Sequence, residues 1–398
     1  MTKGLGENPT VTGLGRRLRL GVVGGGPGSF IGPVHRTAAR LDDRYEVVAS
    51  VLSSKPEKSV EAGRALGIPA DRAYGDLDAL FEGEAAREDR IDVLAIMTPN
   101  SEHHPAAVRA LDLGLDVICD KPLTTTLDDA VDLVRRVRAT DRVFCTTYNY
   151  TGYPMVRQAR AMVAAGRLGP IRMIQACYIQ PHLARLTPME RDGGDYWRMD
   201  PARVGASMVL GDIGSHALHM TAFVAGTEAE RVGAEITTVV PGRNVDDCAM
   251  AMLRYENGAR GVFWVTNAAA GSEHGLYFRI FGEKGGLEWA QETPNYLRWM
   301  PIDEPVQILA RDGAGLGPEA KRATRVEFGH PEGYQEGFAN LYTDVADAIV
   351  ARETGRQPDP LVLDFPTVED GARGIAFIEA AKKSAAADGA WTDCRLVV

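Results

Sequence analysis

Five short apolar segments alternate with helical patterns in the first third of the chain, and this alternation limits the possible folds more than any other feature. The apolar segments, most of them rich in β-branched residues, occupy residues 19–23, 45–52, 91–98, 115–120 and 142–147. Helical patterns lie between them at residues 34–41, 57–66, 104–113 and 127–138. Buried strands that alternate with helices are typical of a parallel sheet covered on both faces. The sequence therefore predicts an α/β fold with a doubly wound parallel sheet in a domain over residues 18–148.

The pattern changes after about residue 150. Longer segments with partial alternation follow, among them IRMIQACYI, CAMAMLRY and LYFRIFG, and they are joined by turn signals such as ENG and EKGG. A series of such strands predicts a second domain over residues 149–398 with a large open, mainly antiparallel sheet. Helical patterns return at residues 336–354 and 367–386. The first residues are rich in glycine, threonine and asparagine, which predicts a disordered N-terminal tail over residues 1–17.

The charge of the chain excludes one class of partner. A formal net charge of −10 leaves no basic surplus to neutralise phosphates, so we expect neither nucleic acid nor a membrane as a partner. The five cysteines are scattered and form no CxxC pair, which favours free thiols in a reducing compartment. Arg16 and Arg17 precede a segment too short and too glycine-rich for a signal peptide, and the chain has no long apolar run. We therefore expect a cytoplasmic protein.

A glycine-rich loop, GVVGGGPGSFIG over residues 21–32, follows the first predicted strand and leads into a helical pattern. Glycines at this place let backbone N–H groups approach a pyrophosphate, whose charge is favoured by the N-terminus of the next helix. The loop therefore predicts a dinucleotide site, and its candidate cofactor-binding residues are Gly24, Gly26, Pro27, Gly28, Ser29 and Phe30. The spacing is irregular, because Gly28 comes early and Gly32 late, and a flexible turn is the alternative.

The end of the second predicted strand bears on which dinucleotide binds. An acidic residue usually stands there and holds the ribose hydroxyls. Here the chain has Ser53, Ser54 and Lys55, and the first acidic residue is Glu57. Hydroxyls with a lysine suit a 2′-phosphate, so we predict NAD or NADP as the cofactor, with a preference for NADP. Serine also binds a free ribose, and a solvated loop charge is the alternative for Lys55.

Four motifs occur along the chain: GVVGGG at 21–26, TPNSEHH at 98–104, DKP at 120–122 and GDIGSHALH at 211–219. With them, over about residues 18–390, the chain resembles the glucose–fructose oxidoreductase, inositol dehydrogenase and MocA-like (Gfo/Idh/MocA) family of NAD(P)-dependent oxidoreductases. The resemblance implies an N-terminal Rossmann domain. It also implies a C-terminal α/β domain whose open sheet carries the substrate pocket and often an oligomer interface. We therefore expect a homodimer or homotetramer that binds a small polyhydroxylated substrate.

The resemblance also implies three catalytic residues. Lys121 lies in the segment that matches the family's Glu-Lys-Pro motif, and Asp212 and His216 match its Asp-x-Gly-x-His motif. His219 stands where members usually have aspartate, which leaves its role open. Lys121 follows the fourth predicted strand, at the edge where doubly wound sheets bind ligands, and an ammonium there stabilises a developing alkoxide. An exposed strand-end lysine is the alternative.

His216 is the predicted general acid and base, because an imidazole titrates near the operating pH. Asp212 lies four residues earlier, so on a helix it shares a face with His216 and orients the imidazole, binds a substrate hydroxyl or does both. A satisfied buried histidine is the alternative for His216. Asp212, His216 and His219 also have a spacing that suits zinc, but no cysteine joins them and hydride transfer accounts for the same residues. We therefore predict no metal.

The remaining candidates come from their places in these motifs. At the cofactor we expect Thr98, Pro99, Asn100, His103 and Asp120, together with Lys121. At the substrate we expect Asp212 and His216 with Tyr148, Asn149, Tyr196, Trp197, Arg198, His330 and Tyr334. Ser101 also suits a helix cap, and the tyrosines at the domain junction also suit packing. A surface loop or an oligomer contact is the alternative for the segments at 194–201 and 328–338.

Together these residues predict an NAD(P)-dependent dehydrogenase or reductase that acts on a secondary alcohol or ketone of a sugar, a sugar derivative or an inositol. Two other functions use the same residues. One is oxidation, elimination and reduction of a glycoside on a retained cofactor, with no net redox change. The other is a nucleotide-binding sensor without catalysis, which the intact Lys121, Asp212 and His216 disfavour.

Overall fold

The computed structural model describes residues 7–187, 190 and 197–398 of the 398-residue chain. Tyr196, a predicted substrate residue, lies outside these residues. In the described part of the chain, the strands form one five-stranded sheet and one nine-stranded sheet. The catalytic candidates lie between the two sheets.

The five-stranded sheet is parallel throughout. Its strands are β1 (Leu18–Gly24), β2 (Tyr45–Val51), β3 (Val93–Met97), β4 (Asp116–Cys119) and β5 (Phe144–Thr146). Their order across the sheet is β2-β1-β3-β4-β5. Every residue of β3 and β4 is buried, as expected for strands with helices on both faces. The predicted parallel sheet is confirmed.

Helices precede and connect these strands. They are α1 (Pro9–Leu14), α2 (Ile31–Leu41), α3 (Pro56–Ala65), α4 (Leu77–Ala85), α5 (His103–Asp112) and α6 (Leu127–Arg138). Thr126 caps α6, as its sequence predicts, because its Oγ1 accepts a hydrogen bond from the N–H of Asp129 at 3.2 Å. The strand order reverses between β1 and β3, so their carboxyl ends at Gly24 and Met97 border the crevice in which such sheets bind ligands.

Helix α1 corrects part of the disordered tail expected over residues 1–17. Asn8 caps the helix, and its side chain accepts a hydrogen bond from the N–H of Thr10 at 3.0 Å. Thr10 is fully buried. Gly13 lies so close to a C-terminal helix that a Cβ there would stand 2.7 Å from the Val350 side chain. The small and polar residues that suggest a loop therefore cap and seat a helix.

The second sheet contains β6 (Ile171–Ile179), β7 (Ala229–Thr237), β8 (Cys248–Tyr255), β9 (Arg260–Thr266), β10 (Leu276–Gly282), β11 (Gly285–Ala290), β12 (Tyr296–Pro301), β13 (Gln307–Ala310) and β14 (Thr392–Asp393). Their order is β13-β12-β11-β10-β6-β9-β8-β7-β14. Among these described strands, β6 and β9 pair in parallel and all other neighbours are antiparallel. The predicted mainly antiparallel sheet is confirmed.

The helices of this part are α7 (Pro154–Ala164), α8 (Pro201–Val204), α9 (Ser215–Ala225), α10 (Pro318–Ala323), α11 (Tyr334–Glu353) and α12 (Val368–Ala386). Helices α9 and α12 pack on the second sheet. Helix α11 packs instead on α2, and its buried residues share one hydrophobic core with β1 and β3. The predicted C-terminal domain therefore contributes α11 to the N-terminal layers, and the remainder of the predicted division at residue 148 stays a prediction.

One face of the second sheet leaves large apolar side chains in solvent. They are Met173, Met250, Met252, Val262, Trp264 and Phe281, and we call this set the exposed apolar face. The set is contiguous, because Met250 pairs with Trp264, Met252 with Val262 and Met173 with Phe281 in the strand register. None of the helices in the described residues is long and apolar enough to cross a membrane.

Candidate active site

The glycine-rich loop after β1 is packed so tightly that side chains are excluded at two of its predicted positions. Gly24 has a φ of +78°, and a Cβ there would stand 2.5 Å from the carbonyl group of Met97. A Cβ on Gly26 would stand 1.9 Å from the carbonyl oxygen of Leu52, just after β2. The backbone of the loop therefore lies against the carboxyl ends of β2 and β3, where a dinucleotide pyrophosphate binds in this kind of sheet.

The tip of the loop is open. The N–H of Ser29 donates to the carbonyl oxygen of Gly26 at 3.0 Å, so Pro27 and Gly28 occupy the centre of a turn. Gly28 has a φ of +84° and no atom within 4 Å of its Cβ position. Phe30 is 73% exposed. These predicted residues are thus accessible to a ligand at the start of α2.

Gly25 and Gly32 complete the loop, although neither was among the predicted residues. A Cβ on Gly32 would stand 1.8 Å from the carbonyl oxygen of Gly25. The same oxygen accepts a hydrogen bond from Arg36 Nη1 at 2.8 Å. Gly32 therefore serves as the third glycine of the fingerprint, which lets the helix approach the strand closely. The late position of Gly32 in the loop was the sequence signal that could have identified it.

Two features of this crevice fit a bound dinucleotide. Helix α2 begins at Ile31, and Phe30 before it provides no side-chain cap, so the positive end of the helix dipole is available to an anion. Thr98, directly after β3, has a buried hydroxyl without a hydrogen-bond partner in the described part of the chain. A buried hydroxyl without a partner at this strand end is available to hydrogen-bond a ligand.

The residues after β2 lie beside Gly26, where the adenosine half of a dinucleotide is expected. Ser53 Oγ accepts a hydrogen bond from the N–H of Lys55 at 3.1 Å. Ser54 and Lys55 are exposed, and α3 begins at the next residue. A hydroxyl and an accessible lysine therefore lie at the right edge for a ribose or its 2′-phosphate, and the preference for NADP stays a prediction.

His103 ties the end of β3 to the segment that carries Lys121. Its Nδ1 lies 2.9 Å from the carbonyl oxygen of Pro122, and its Nε2 lies 3.1 Å from that of Thr98. The ring is 1% exposed, and burial lowers the pKa of His103. The neighbouring His104 does not share these contacts, because its Nε2 bonds Asp132 Oδ2 at 2.9 Å. His103 therefore connects the segments that follow β3 and β4.

The other residues of these strand ends are similarly anchored. Asn100 is buried and its Nδ2 donates to the carbonyl oxygen of Val204 at 3.2 Å, which links the segment after Pro99 to α8. Asp120 Oδ1 accepts hydrogen bonds from the N–H of Lys121 at 2.8 Å and from Thr147 Oγ1 at 3.0 Å. The Lys121-Pro122 peptide is cis. Asp120 therefore fixes the backbone from which the Lys121 side chain extends.

Lys121 and Asp212 meet across the two halves of the molecule. Lys121 Nζ donates to the backbone carbonyl oxygen of Asp212 and lies 3.7 Å from Asp212 Oδ1. The two side chains are 15% and 17% exposed, so they are shielded but open to the crevice. The alternative reading of Lys121 as a solvated strand-end lysine does not fit this contact.

Asp212 has further polar neighbours. It lies in a π-helical turn (Leu210–Gly214) that leads into α9. Asn267 Nδ2 donates to Asp212 Oδ2 at 3.2 Å, Arg198 Nε lies 3.8 Å from Oδ1, and His182 Nε2 lies 4.0 Å from Oδ2. Burial raises the pKa of Asp212, but the charges of Lys121 and Arg198 outweigh it and leave the pKa below its usual value. Asp212 is therefore a carboxylate at neutral pH.

His216, at the start of α9, is 7% exposed. Its Nδ1 is buried and has no hydrogen-bond partner in the described residues, so Asp212 does not orient the ring through that nitrogen. Burial, and after it the charge of Lys121, hold the pKa of His216 well below 6.5. A neutral imidazole at pH 7 can accept a proton from an alcohol, and its imidazolium returns that proton readily.

His219 points away from Lys121. Its ring stacks on Tyr148 with centroids 4.5 Å apart, and its Nε2 lies 4.0 Å from Asp370 Oδ1. Burial lowers the pKa of His219 to about 4. Within the described residues, no group of three or more His, Cys, Asp or Glu side chains has an arrangement that could hold a metal ion.

Tyr148 and Asn149 lie behind the site rather than in it. Each is 1% exposed. Tyr148 contacts His216 and His219, and a Cβ on Gly374 would stand 2.5 Å from its hydroxyl oxygen. This burial disagrees with the substrate contact predicted for the two residues and supports the packing alternative.

The other substrate candidates divide into two groups. Arg198 stacks on Trp197, with its Cζ 4.5 Å from the ring centroid, and faces Asp212. Tyr334 lies between the cofactor loop and the residues around His216. Its ring centroid is 6.2 Å from that of Phe30 and 6.3 Å from that of Tyr150. His330 is exposed, and within the described residues its ring bonds only a nearby backbone carbonyl, that of Glu327, at 3.3 Å. The structure therefore does not bring His330 to this site.

A polar cluster beside His216 was not predicted. Tyr150 and Tyr178 join their hydroxyls at 2.6 Å, and both contact His274 Nε2, at 2.9 Å and 2.5 Å. Gln180 Nε2 lies 3.2 Å from His274 Nδ1. The ring of Tyr150 lies 4.9 Å from that of His216. Tyr150 was visible in the YNYTGYP segment, whereas nothing in the sequence around His274 marked it as part of a site.

Comparisons with known proteins agree with this geometry. Residues 18–148 match the profile "Oxidoreductase family, NAD-binding Rossmann fold", and residues 156–288 match the profile "GFO/IDH/MocA C-terminal domain". The uncharacterized oxidoreductase YfiI of Bacillus subtilis is 31% identical over 96% of this chain and 98% of its own length. The levoglucosan dehydrogenase of Pseudarthrobacter phenanthrenivorans is 27% identical over 71% of this chain and 76% of its own.

A solved structure also matches the chain over nearly its whole length. An inositol dehydrogenase homolog from Azotobacter vinelandii, crystallised with NADH and myo-inositol, is 36% identical to this chain. The match covers 96% of this chain and 98% of that one, with a TM-score of 0.88.

Proposed function

Since the chain belongs to the Gfo/Idh/MocA family of NAD-binding oxidoreductases, we propose that it interconverts a secondary alcohol and a ketone on a polyhydroxylated ring. The substrate class is a sugar, a sugar derivative or an inositol, and the cofactor is NAD or NADP. One observation carries the proposal. Lys121 of the nucleotide-binding half contacts Asp212 of the other half, beside the buried His216 and at the carboxyl edge of the parallel sheet.

The roles follow from charge and burial. When bound, the nicotinamide ring supplies the hydride acceptor or donor. The ammonium of Lys121 holds the oxygen of the reacting carbon and stabilises the negative charge that develops on it. His216 is neutral at pH 7, takes the hydroxyl proton of the alcohol and returns it to the ketone in the reverse direction. Asp212 keeps Lys121 in place and offers carboxylate oxygen to a neighbouring substrate hydroxyl.

The polyhydroxylated substrate class is supported by the polar groups around the crevice. Arg198 and His182 lie within 4.0 Å of the Asp212 carboxylate, and the three side chains supply both donors and acceptors for several hydroxyls. The ring of Trp197 beside Arg198 adds an apolar surface of the kind that packs against a sugar ring. The similarity to a protein crystallised with NADH and myo-inositol points the same way.

A turnover assay tests this proposal. The purified full chain is incubated with NAD⁺ or NADP⁺ and a panel of inositols, aldoses and anhydrosugars, and reduced nicotinamide is followed by absorbance. We expect oxidation of at least one ring polyol, and loss of that activity in Lys121→Met and in His216→Phe. Cofactor binding without turnover of any member in either direction would contradict the proposal.

We also propose that a second copy of the chain covers the exposed apolar face. Six large apolar side chains on neighbouring strands form a continuous patch, and a flat patch of this kind is complementary to itself. A homodimer or homotetramer therefore forms through the sheet, and Trp264→Glu is expected to yield monomers in analytical ultracentrifugation.

All five cysteines are buried and free, which supports a reducing, cytoplasmic location.

A further inference from the structure

The orientation of His216 needs an explanation. A catalytic imidazole is usually held by a hydrogen bond from its second ring nitrogen to a carboxylate or carbonyl. In His216 the buried Nδ1 has no such partner in the described chain. The nearby carboxylate of Asp212 is engaged by Asn267 and Lys121 instead. Something other than a hydrogen bond must therefore fix the plane of the ring.

Aromatic rings surround His216 on several sides. Tyr148 meets it at 77° with centroids 5.7 Å apart, Tyr150 at 81° and 4.9 Å, and Tyr178 at 61° and 6.4 Å. Edge-to-face contacts of this kind are directional, so the tyrosine planes determine the plane of the imidazole. Tyr150 makes the shortest of the three contacts and is 3% exposed.

Tyr150 is itself held by hydrogen bonds at its hydroxyl. That hydroxyl contacts Tyr178 Oη at 2.6 Å and His274 Nε2 at 2.9 Å. His274 is fixed in turn, because Gln180 lies 3.2 Å from its Nδ1 and its backbone N–H donates to Glu292 Oε1 at 3.0 Å. Gln180 Nε2 is a donor, so a neutral His274 accepts at Nδ1 and carries its proton on Nε2, which donates to a tyrosine hydroxyl. The cluster thus forms a chain of contacts from a half-buried histidine to the ring beside His216.

We propose that Tyr150 and His274 are positioning residues that hold the His216 imidazole in its reactive orientation. The inference rests on the proposed function, since His216 is the acid and base of that reaction. Among the described residues, the titratable or charged groups that face His274 are Tyr150, Tyr178, His182, His216 and Glu292. Those that face His216 are Lys121, Tyr148, Tyr150, Tyr178, His219 and His274. Protonation of His274 removes the acceptor at Nδ1 that Gln180 uses, which loosens the ring that holds Tyr150 at acidic pH.

Steady-state kinetics of three variants test the proposal on any polyol that the wild-type protein oxidises. His274→Ala and Tyr150→Phe are expected to lower kcat roughly tenfold or more with little change in KM, because a misplaced catalytic group loses rate rather than substrate affinity. His274→Gln keeps a side chain that accepts and donates hydrogen bonds. It is expected to restore most of kcat and to move the acid limb of the kcat profile to lower pH. His104→Gln, which removes a histidine bonded to Asp132 outside the site, is the matched control and stays at wild-type activity.

A wild-type kcat in His274→Ala, or a rise in KM with kcat unchanged, would overturn the positioning role. Failure of the wild-type protein on every substrate would overturn the proposed function instead. The positioning role is then decided by NMR of the full chain labelled with ¹⁵N-histidine, whose eight imidazoles include His216. We expect the His216 ring signals to shift or broaden in His274→Ala and in Tyr150→Phe. Unchanged His216 signals in both variants would contradict it.

Discussion

The two halves of the candidate site are built from different parts of the chain. The cofactor loop around Gly24, Gly26 and Gly32 acts through its backbone, because close contacts with neighbouring carbonyl groups leave no room for side chains. The catalytic half around Asp212 and His216 acts through side chains that come from separate elements and contact one another. A backbone site depends on conformation at single residues, whereas a side-chain site depends on packing and charge. Substitutions should therefore affect the two halves in different ways.

The largest effect is expected where the halves meet. Lys121→Met removes the ammonium that contacts Asp212 while keeping most of the side-chain volume. Loss of a preorganised charge at the reacting oxygen typically lowers kcat by roughly a hundredfold or more. Lys382→Met is the control, because Lys382 also faces an aspartate, Asp246 at 3.8 Å, but is 52% exposed. Equal kcat values in the two variants would remove Lys121 from the chemistry.

The next effect separates the backbone half from the rest. Gly26→Ala places a Cβ 1.9 Å from the Leu52 carbonyl oxygen, so the loop must move. We expect the Kd for the dinucleotide to rise by about tenfold or more, which corresponds to ~1.4 kcal/mol. Gly166→Ala is a control outside the loop, since a Cβ there meets open space and produces no clash. Calorimetric titration measures both, and an unchanged Kd in Gly26→Ala would mean that the loop does not bind the cofactor.

The stability of the fold at acidic pH depends on one buried histidine from each half of the molecule, His35 and His219. Burial lowers the pKa of His35, which packs against α11, and of His219 to about 4 each. The unfolded chain protonates both near pH 6.5, so between these values it binds more protons than the folded chain and stability falls as the pH falls. Each group contributes up to ~1.4 kcal/mol per pH unit to this loss.

Chemical denaturation at pH 7 and pH 5 checks this expectation. His35→Phe and His219→Phe should each flatten the dependence of the unfolding free energy on pH. If neither buried variant alters the slope, the two imidazoles are not held neutral by burial.

The smallest effect concerns the choice of cofactor. Lys55→Gln removes an exposed charge beside Ser53. An exposed charge contributes up to ~1 kcal/mol, so kcat/KM with NADP⁺ should fall by about fivefold or less and stay constant with NAD⁺. Lys58→Gln, on the next turn, is the matched control. A wild-type preference for NAD⁺, or the same loss with both cofactors, would contradict the predicted role of Lys55.

The parallel sheet and the glycine loop were predictable because each leaves a local pattern in the sequence, and the proximity of Lys121, Asp212 and His216 was expected from the family motifs. Apolar strands, closely spaced glycines and a short motif are read within about a dozen residues. The surroundings of His216 were not predictable in the same way. Tyr150, Tyr178 and His274 come from a junction, a strand and a loop, and only tertiary packing joins them.

Helix α1 and the burial of Tyr148 show the same limit from the opposite direction. Asn8 and Pro9 are helix-start residues, but they stand among glycines that favour a loop, and contact with a C-terminal helix decides the outcome. Tyr148 was predicted from its place in a motif to contact the substrate, yet its ring packs against His219 and against the helix that carries Gly374. Local patterns therefore located the site but did not distinguish its lining from its support.

The most direct test is a crystal structure of the full chain with reduced cofactor and a ring polyol that it oxidises. If the account is correct, Lys121 Nζ and a ring nitrogen of His216 both lie within about 3.2 Å of one substrate oxygen, at the carbon next to the nicotinamide. A polyol bound beside the cofactor with either group more than about 5 Å from that oxygen, beyond the reach of a hydrogen bond or one bridging water, would contradict it.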